Sequence, residues 1–118
     1  MSVTIYHNPR CSKSRKTLEL IRAAGIEPTI VEYLDTPPSA ERIVAIAGLL
    51  GVGVEALLRR NETEFGEATD LPDPGDDAAL AGWLTRHPRV LQRPIVVSDD
   101  GRRAVIGRPP ENVNELLP

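Results

Sequence analysis

The strongest constraint in this sequence is a change of hydrophobic period at its start. Val3-Thr4-Ile5-Tyr6 is a β-branched and aromatic run that stops at Asn8-Pro9, a turn signal. Beyond it Thr17, Leu18, Leu20, Ile21 and Ala24 recur near helical spacing, and Gly25 is placed to end the helix before Pro28. A strand therefore runs into a helix predicted from Ser12 to Ala24. Strand character returns from Thr29 to Leu34 and closes at Asp35-Thr36-Pro37-Pro38. These three elements predict a βαβ start.

Ser39 is placed to N-cap a helix running through Ile43, Ile46, Ala47 and Leu50, whose end is weakened by Gly48, Gly51 and Gly53. Val54, Leu57 and Leu58 share a helical face, which predicts a second short helix from Val54 to Asn61. Thr69 to Asp77 is rich in Pro, Gly and Asp and reads as an exposed loop. Asp77 to His87 reads as a helix with Leu80, Trp83 and Leu84 inward, ending before Pro88. Pro94-Ile95-Val96-Val97 and Ala104-Val105-Ile106 flank Ser98-Asp99-Asp100-Gly101, and an Asp-Gly turn between two apolar runs is a strong hairpin signal. Pro109-Pro110-Glu111 opens a last short helix through Val113, Leu116 and Leu117.

The order β-α-β, helical middle, β-hairpin, α predicts an α/β fold on the thioredoxin-like plan. That plan has a central mixed four-stranded sheet flanked by helices, with a helical insertion at about residues 39–88. A ferredoxin-like sandwich has as many strands, but it needs a strand pair around one long crossover helix, whereas here a terminal hairpin leads to a final helix. The 118 residues, 41% of them hydrophobic, suffice for one core and one domain.

Composition narrows the function. The 14 basic residues are outnumbered by 17 acidic ones, which gives no electrostatic case for nucleic acid. No stretch approaches the roughly 20 apolar residues of a membrane span, and no basic-then-apolar leader precedes the first strand. A soluble, cytoplasmic protein without a membrane partner is expected. A single cysteine makes no internal disulfide, and the chain lacks the Cys/His spacing of a zinc site, so no metal is expected.

That single cysteine, Cys11, sits where strand gives way to helix, with Arg10, Lys13, Arg15 and Lys16 around it. Cations in a first turn oppose the helix dipole and cost about 0.3 kcal/mol or more each, so something negative is expected to compensate. Two candidates fit: the Cys11 thiolate and an anion held by free backbone N–H groups. A free thiol has a pKa of about 8.5, and helix N-termini with nearby cations lower it to roughly 3.5–7.5. The competing reading is a small buried hydrophobe, which is what most unpaired cysteines are.

Cys11-Ser12-Lys13-Ser14 is C-x-x-S, the redox spacing with serine in place of the second cysteine. An oxidised or adducted Cys11 must therefore be released by an external thiol, such as glutathione or a glutaredoxin. The phosphatase pattern C-x5-R fails, because Thr17 occupies the arginine position.

His7 to Arg15, Tyr33-Leu34-Asp35-Thr36-Pro37-Pro38, Ala56-Leu57-Leu58-Arg59-Arg60-Asn61, Arg93-Pro94-Ile95-Val96-Val97 and Gly107-Arg108-Pro109-Pro110 together resemble the glutaredoxin-coupled arsenate reductases. The resemblance implies a thioredoxin-like fold and reduction of arsenate to arsenite, with glutathione as co-substrate, a glutaredoxin as partner and no bound cofactor. It makes Cys11 the nucleophile that bonds arsenic and Arg59, Arg93 and Arg108 the anion-holding arginines, with Arg60 the alternative to Arg59. It places His7 beside the nucleophile, with Arg15 supporting, makes Ser14 a hydrogen-bond partner of the thiolate, and implies a cis Arg93-Pro94 bond.

The resemblance agrees with the residue chemistry, because an arsenate dianion needs several fixed donors and arginine supplies a planar fork. Arginine outnumbers lysine by twelve to two. Each arginine also has a plainer reading: Arg59 and Arg60 as a solvated helix face, Arg93 as a strand flank, Arg108 as an exposed turn. His7 and His87 read as structural histidines, and Trp83 as core. Two other functions fit the same chain: a related thiol-dependent reductase with another substrate, and a thioredoxin-fold regulatory or binding protein. The second would be expected to carry a C-x-x-C switch where this chain has Ser14.

Overall fold

The computed structural model describes residues 2–118, which form two compact units. Residues 2–36 with Arg93–Pro118 make the first, and Pro37–Gln92 the second.

In the first unit strand β1 (Val3–His7) leads to helix α1 (Ser12–Ala23) and strand β2 (Thr29–Glu32), and strands β3 (Ile95–Ser98) and β4 (Ala104–Ile106) form the hairpin. The sheet order is β2-β1-β3-β4. β1 pairs with β2 in parallel, and the β1–β3 and β3–β4 pairs are antiparallel. The sheet is mixed, as expected for the thioredoxin-like plan, and the parallel pair excludes the all-antiparallel ferredoxin-like alternative.

The core of this unit is Val3 and Ile5 from β1, Leu18 and Ile21 from α1, Val96 and Val105 from the hairpin, and Val113 and Leu116 from the C-terminal segment. Alternate residues of β1 and the i, i+3 pair on α1 meet here, so the two periods seen in the sequence converge on one apolar layer. β2 is shorter than expected, because the N–H groups of Asp35 and Thr36 both donate to Glu32 O and turn the chain out of the sheet. The C-terminal segment Pro110–Glu115 winds as a 3-10 helix, tighter than an α-helix.

The second unit holds α2 (Ala40–Leu50), α3 (Thr63–Glu67) and α4 (Asp77–Arg86). Ser39 caps α2 as expected, its hydroxyl accepting from Arg42 N–H at 3.1 Å, and Gly51 ends it at φ 72°, a left-handed conformation that costs glycine little. The predicted helix from Val54 to Asn61 is corrected to a single 3-10 turn, Val54–Leu57. Leu58 is instead extended and bridges Leu91, with Arg59 N–H donating to Val90 O and Gln92 N–H to Leu57 O. Trp83 is fully buried, donating Nε1–H to Asp70 Oδ1 at 3.0 Å and stacking on His87 at 4.3 Å between ring centres.

Candidate active site around Cys11

β1 ends at His7 and α1 begins at Ser12, so four residues reverse the chain. Asn8 organises them. Its side-chain Oδ1 accepts from Arg10 N–H at 3.0 Å and its carbonyl from Cys11 N–H at 3.0 Å. Cys11 is thereby fixed as the N-cap residue of α1, in extended conformation. The N–H groups of Lys13 and Ser14 lie beside its sulfur, without closing a capping hydrogen bond of regular geometry.

Two guanidinium groups reach the same sulfur from the β3 and β4 ends of the sheet. Arg93 hydrogen-bonds the thiol and adds its charge, and Arg108 Nη2 lies 3.8 Å from Sγ. Burial is the largest single influence on Cys11 and raises its pKa. The Ser14 amide, the Arg93 hydrogen bond, the Lys13 amide and the Arg93 charge together outweigh it, so the thiol ionises below its ordinary value of 9.0. The four local cations that drew attention in the sequence are not the source. Arg10, Lys13, Arg15 and Lys16 are exposed, Arg15 Nη1 donates to Pro9 O, and Lys16 pairs with Glu19.

The Ser14 hydroxyl is turned elsewhere than the resemblance implies. It is fully buried, accepts from Asn8 N–H at 3.0 Å and lies 2.6 Å from His7 Nδ1, so it is the Ser14 backbone that serves the thiolate. Burial lowers the pKa of His7, opposed by the Glu32 charge and assisted by Arg22 and Arg15. His7 is thus neutral. The Ser14 hydroxyl, with one proton and two lone pairs, serves Asn8 N–H and His7 Nδ1 at once.

Gly107, which the sequence does not single out as a site residue, holds Arg108 in place. Its N–H donates to Pro94 O at 2.9 Å. A Cβ there would lie 2.5 Å from Thr17 Oγ1 and 2.8 Å from Pro94 Cγ, so only glycine lets the β4 exit approach α1 this closely. Arg108 Nε then donates to Arg93 O at 2.6 Å. Both Arg93–Pro94 and Arg108–Pro109 peptides are cis. Arg59 belongs to the second unit, where its Nη1 pairs with Glu62 at 3.0 Å. Arg60 is exposed and lies over the Phe65 ring.

A nucleophilic sulfur with two planar cationic forks beside it is suited to attack on a bound oxyanion. The model of the ArsC family matches residues 6–116, from the end of β1 to the C-terminal segment. This chain belongs to the ArsC family. Among ArsC-type relatives, the arsenate reductase of Escherichia coli K12 is 44% identical over 117 residues, covering 99% of this chain and 82% of the relative. The arsenate reductase of Rhizobium meliloti strain 1021 is 45% identical over 119 residues, covering 100% of this chain and 83% of the relative. The solved structure of an arsenate reductase from Vibrio cholerae superposes with a TM-score of 0.86 at 43% identity, covering 99% of this chain and 98% of that one. Among the described residues, no helix is long and apolar enough to cross a membrane.

Proposed function

We propose that this protein reduces arsenate to arsenite through a covalent adduct on Cys11. The observation that carries the reading is the approach of both Arg93 and Arg108 to one sulfur whose ionisation is favoured. The family and its arsenate-reducing relatives support arsenate as the anion.

Arsenate lies against the two guanidinium groups, which neutralise it as the thiolate approaches. The Cys11 sulfur attacks arsenic, an S–As bond forms, and one oxygen leaves as water after protonation, giving a thioarsenate of As(V). Glutathione thiolate then attacks the Cys11 sulfur. An S–S bond forms, the S–As bond breaks, and its electron pair stays on arsenic, which departs as arsenite, As(III). A glutaredoxin thiol takes the glutathione from Cys11 by disulfide exchange and returns the thiolate. Overall, two thiols are oxidised to a disulfide as arsenic gains two electrons. The resemblance of the Leu57-Leu58-Arg59 block to the family implies Arg59 as a further anion-holding arginine.

A coupled assay tests the proposal: NADPH consumption with glutathione, glutathione reductase and glutaredoxin, with and without arsenate. Arsenate-dependent turnover is expected, and Cys11→Ser should lower it roughly a thousandfold or more. Turnover persisting in Cys11→Ser rejects the covalent route. Silence of the wild type toward arsenate, with the thiol still readily ionised, transfers the same chemistry to another substrate.

A further inference from the structure

Arg108 lies on the short link between β4, which ends at Ile106, and the C-terminal 3-10 helix, which begins at Pro110. A guanidinium presented from such a link is aimed only as well as the backbone beneath it, and a misplacement of about 1 Å in a positioning group can cost roughly a hundredfold in rate. Gly107, the residue before it, is the type with the widest choice of backbone angles. The link therefore needs restraint from elsewhere if Nη2 is to stay 3.8 Å from the Cys11 sulfur.

Asn112 supplies that restraint from the first turn of the 3-10 helix. Its Nδ2 donates to Ile106 O at 3.2 Å and to Arg108 O at 3.1 Å, so one side-chain amide holds the two carbonyls that bracket Gly107 and Arg108. Both partners are carbonyl oxygens, which only accept, so only the NH2 end of the side chain fits and both of its protons are used. The main chain closes the same loop: Arg108 N–H returns to Ile106 O at 2.9 Å, and Asn112 N–H donates to Pro109 O at 3.0 Å. Arg108 is thus locked at its base by Asn112 and near its tip by Arg93 O, which accepts from Nε.

We infer that Asn112 is a positioning residue for the anion site: its amide fixes the Gly107-Arg108 backbone so that the Arg108 guanidinium is presented to an anion meeting the Cys11 thiolate. Asn112 carries no charge, so its effect on that anion passes through Arg108. Val113 and Leu116 fasten the same helix to the core by burial, so the helix keeps an apolar hold when the amide is lost. The inference rests on the proposed reaction for its purpose, and its test needs no arsenate.

Cys11 is alkylated at low ionic strength with iodoacetate, an anion, and with iodoacetamide, its neutral counterpart, at one pH, so that the thiolate fraction cancels in the ratio of the two rates. Asn112→Leu keeps the branched shape and removes both donors, and it should lower the iodoacetate-to-iodoacetamide ratio about threefold or more. Arg108→Gln should lower the ratio as far or further, and adding Asn112→Leu to Arg108→Gln should lower it no more. A ratio unmoved by Asn112→Leu, lowered equally in both backgrounds, or unmoved by Arg108→Gln overturns the inference. Asn112→Ser is a smaller change that should shift the ratio in the same direction, and it decides the matter if the leucine variant does not fold. The expected fall in a protein that ignores arsenate upholds Asn112 and defeats the proposed substrate, whereas an unmoved ratio in a protein that reduces arsenate defeats Asn112 alone.

Discussion

Arg108 Nε donates to the backbone carbonyl of Arg93 at 2.6 Å, so the two arginines beside Cys11 are yoked to each other. One edge of the Arg108 fork is spent on the main chain and the other is left facing the sulfur, with Nη2 at 3.8 Å. A guanidinium anchored this way loses little freedom on meeting an anion, which lysine with its single point charge cannot match. Arg108→Lys should therefore lower kcat/KM for arsenate by about tenfold or more while leaving the fold intact, as read by steady-state kinetics alongside circular dichroism.

Removing the Arg93 guanidinium should make Cys11 harder to ionise. Burial then acts on the thiol with less opposition, since only the Ser14 and Lys13 amides and the Arg108 guanidinium remain against it. Arg93→Gln is expected to shift the pH midpoint of iodoacetamide alkylation upward and to slow alkylation at pH 7. The folded-state pKa lies below that of the unfolded chain, so ionisation adds stability that is complete above the unfolded value of 9.0. That stability is lost as pH falls through the folded-state value. In Arg93→Gln the gain should shrink, and an unmoved midpoint would remove Arg93 from this role.

His7 carries a dependence of the same sign at lower pH. Its burial disfavours the imidazolium, so the folded pKa lies below the ordinary 6.5, and the unfolded chain binds the proton first. Stability is present above pH 6.5 and declines as pH falls from there toward the folded value. Urea midpoints at pH 7.5 and 5.5 should differ more in the wild type than in His7→Gln. Equal differences would mean that other groups set the decline.

At Gly107 the prediction is steric. Alanine places a Cβ against Thr17 Oγ1 and Pro94 Cγ, neither of which is a flexible side-chain end. Gly107→Ala should cost about 1–3 kcal/mol and lower arsenate turnover by displacing Arg108. Adding Thr17→Ala removes the closer of the two obstacles, so the double variant should recover part of both losses. Strict additivity in thermal melts and kinetics would contradict the contact.

Arg59 and Arg60 are separated by one experiment. Arg59→Lys should reduce kcat/KM for arsenate by roughly tenfold or more, and Arg60→Lys should leave it near wild type. The reverse pattern would exchange their roles.

Local sequence signals made the first unit legible, because its elements announce themselves within a few residues. The period change around Asn8-Pro9 and the Asp100-Gly101 turn needed no distant partner to be read, and in the second unit neither did the Ser39 cap. Leu58 could not be read this way: its helical spacing with Val54 is overruled by pairing with Leu91, which no local propensity reports. The position of Cys11 was legible for the same reason as the helix that follows it. The cause of its acidity was not, since the visible charges face solvent and the effective one, Arg93, arrives through strand pairing. Ser14 and Gly107 show the same limit. A hydroxyl three residues from a cysteine suggests a contact that the buried His7 has already taken, and the need for glycine at 107 exists only once Thr17 stands opposite.

The solvent-facing cations at the start of α1 divide the labour of anion capture by distance. Arg10, Lys13 and Lys16 project into water, where added salt shields them over about 10 Å at 0.1 M. They create a diffuse positive field at the mouth of the site and hold nothing once an anion has arrived. Raising ionic strength should slow the encounter of this protein with charged reactants while leaving the ionisation of its half-sheltered sulfur almost untouched.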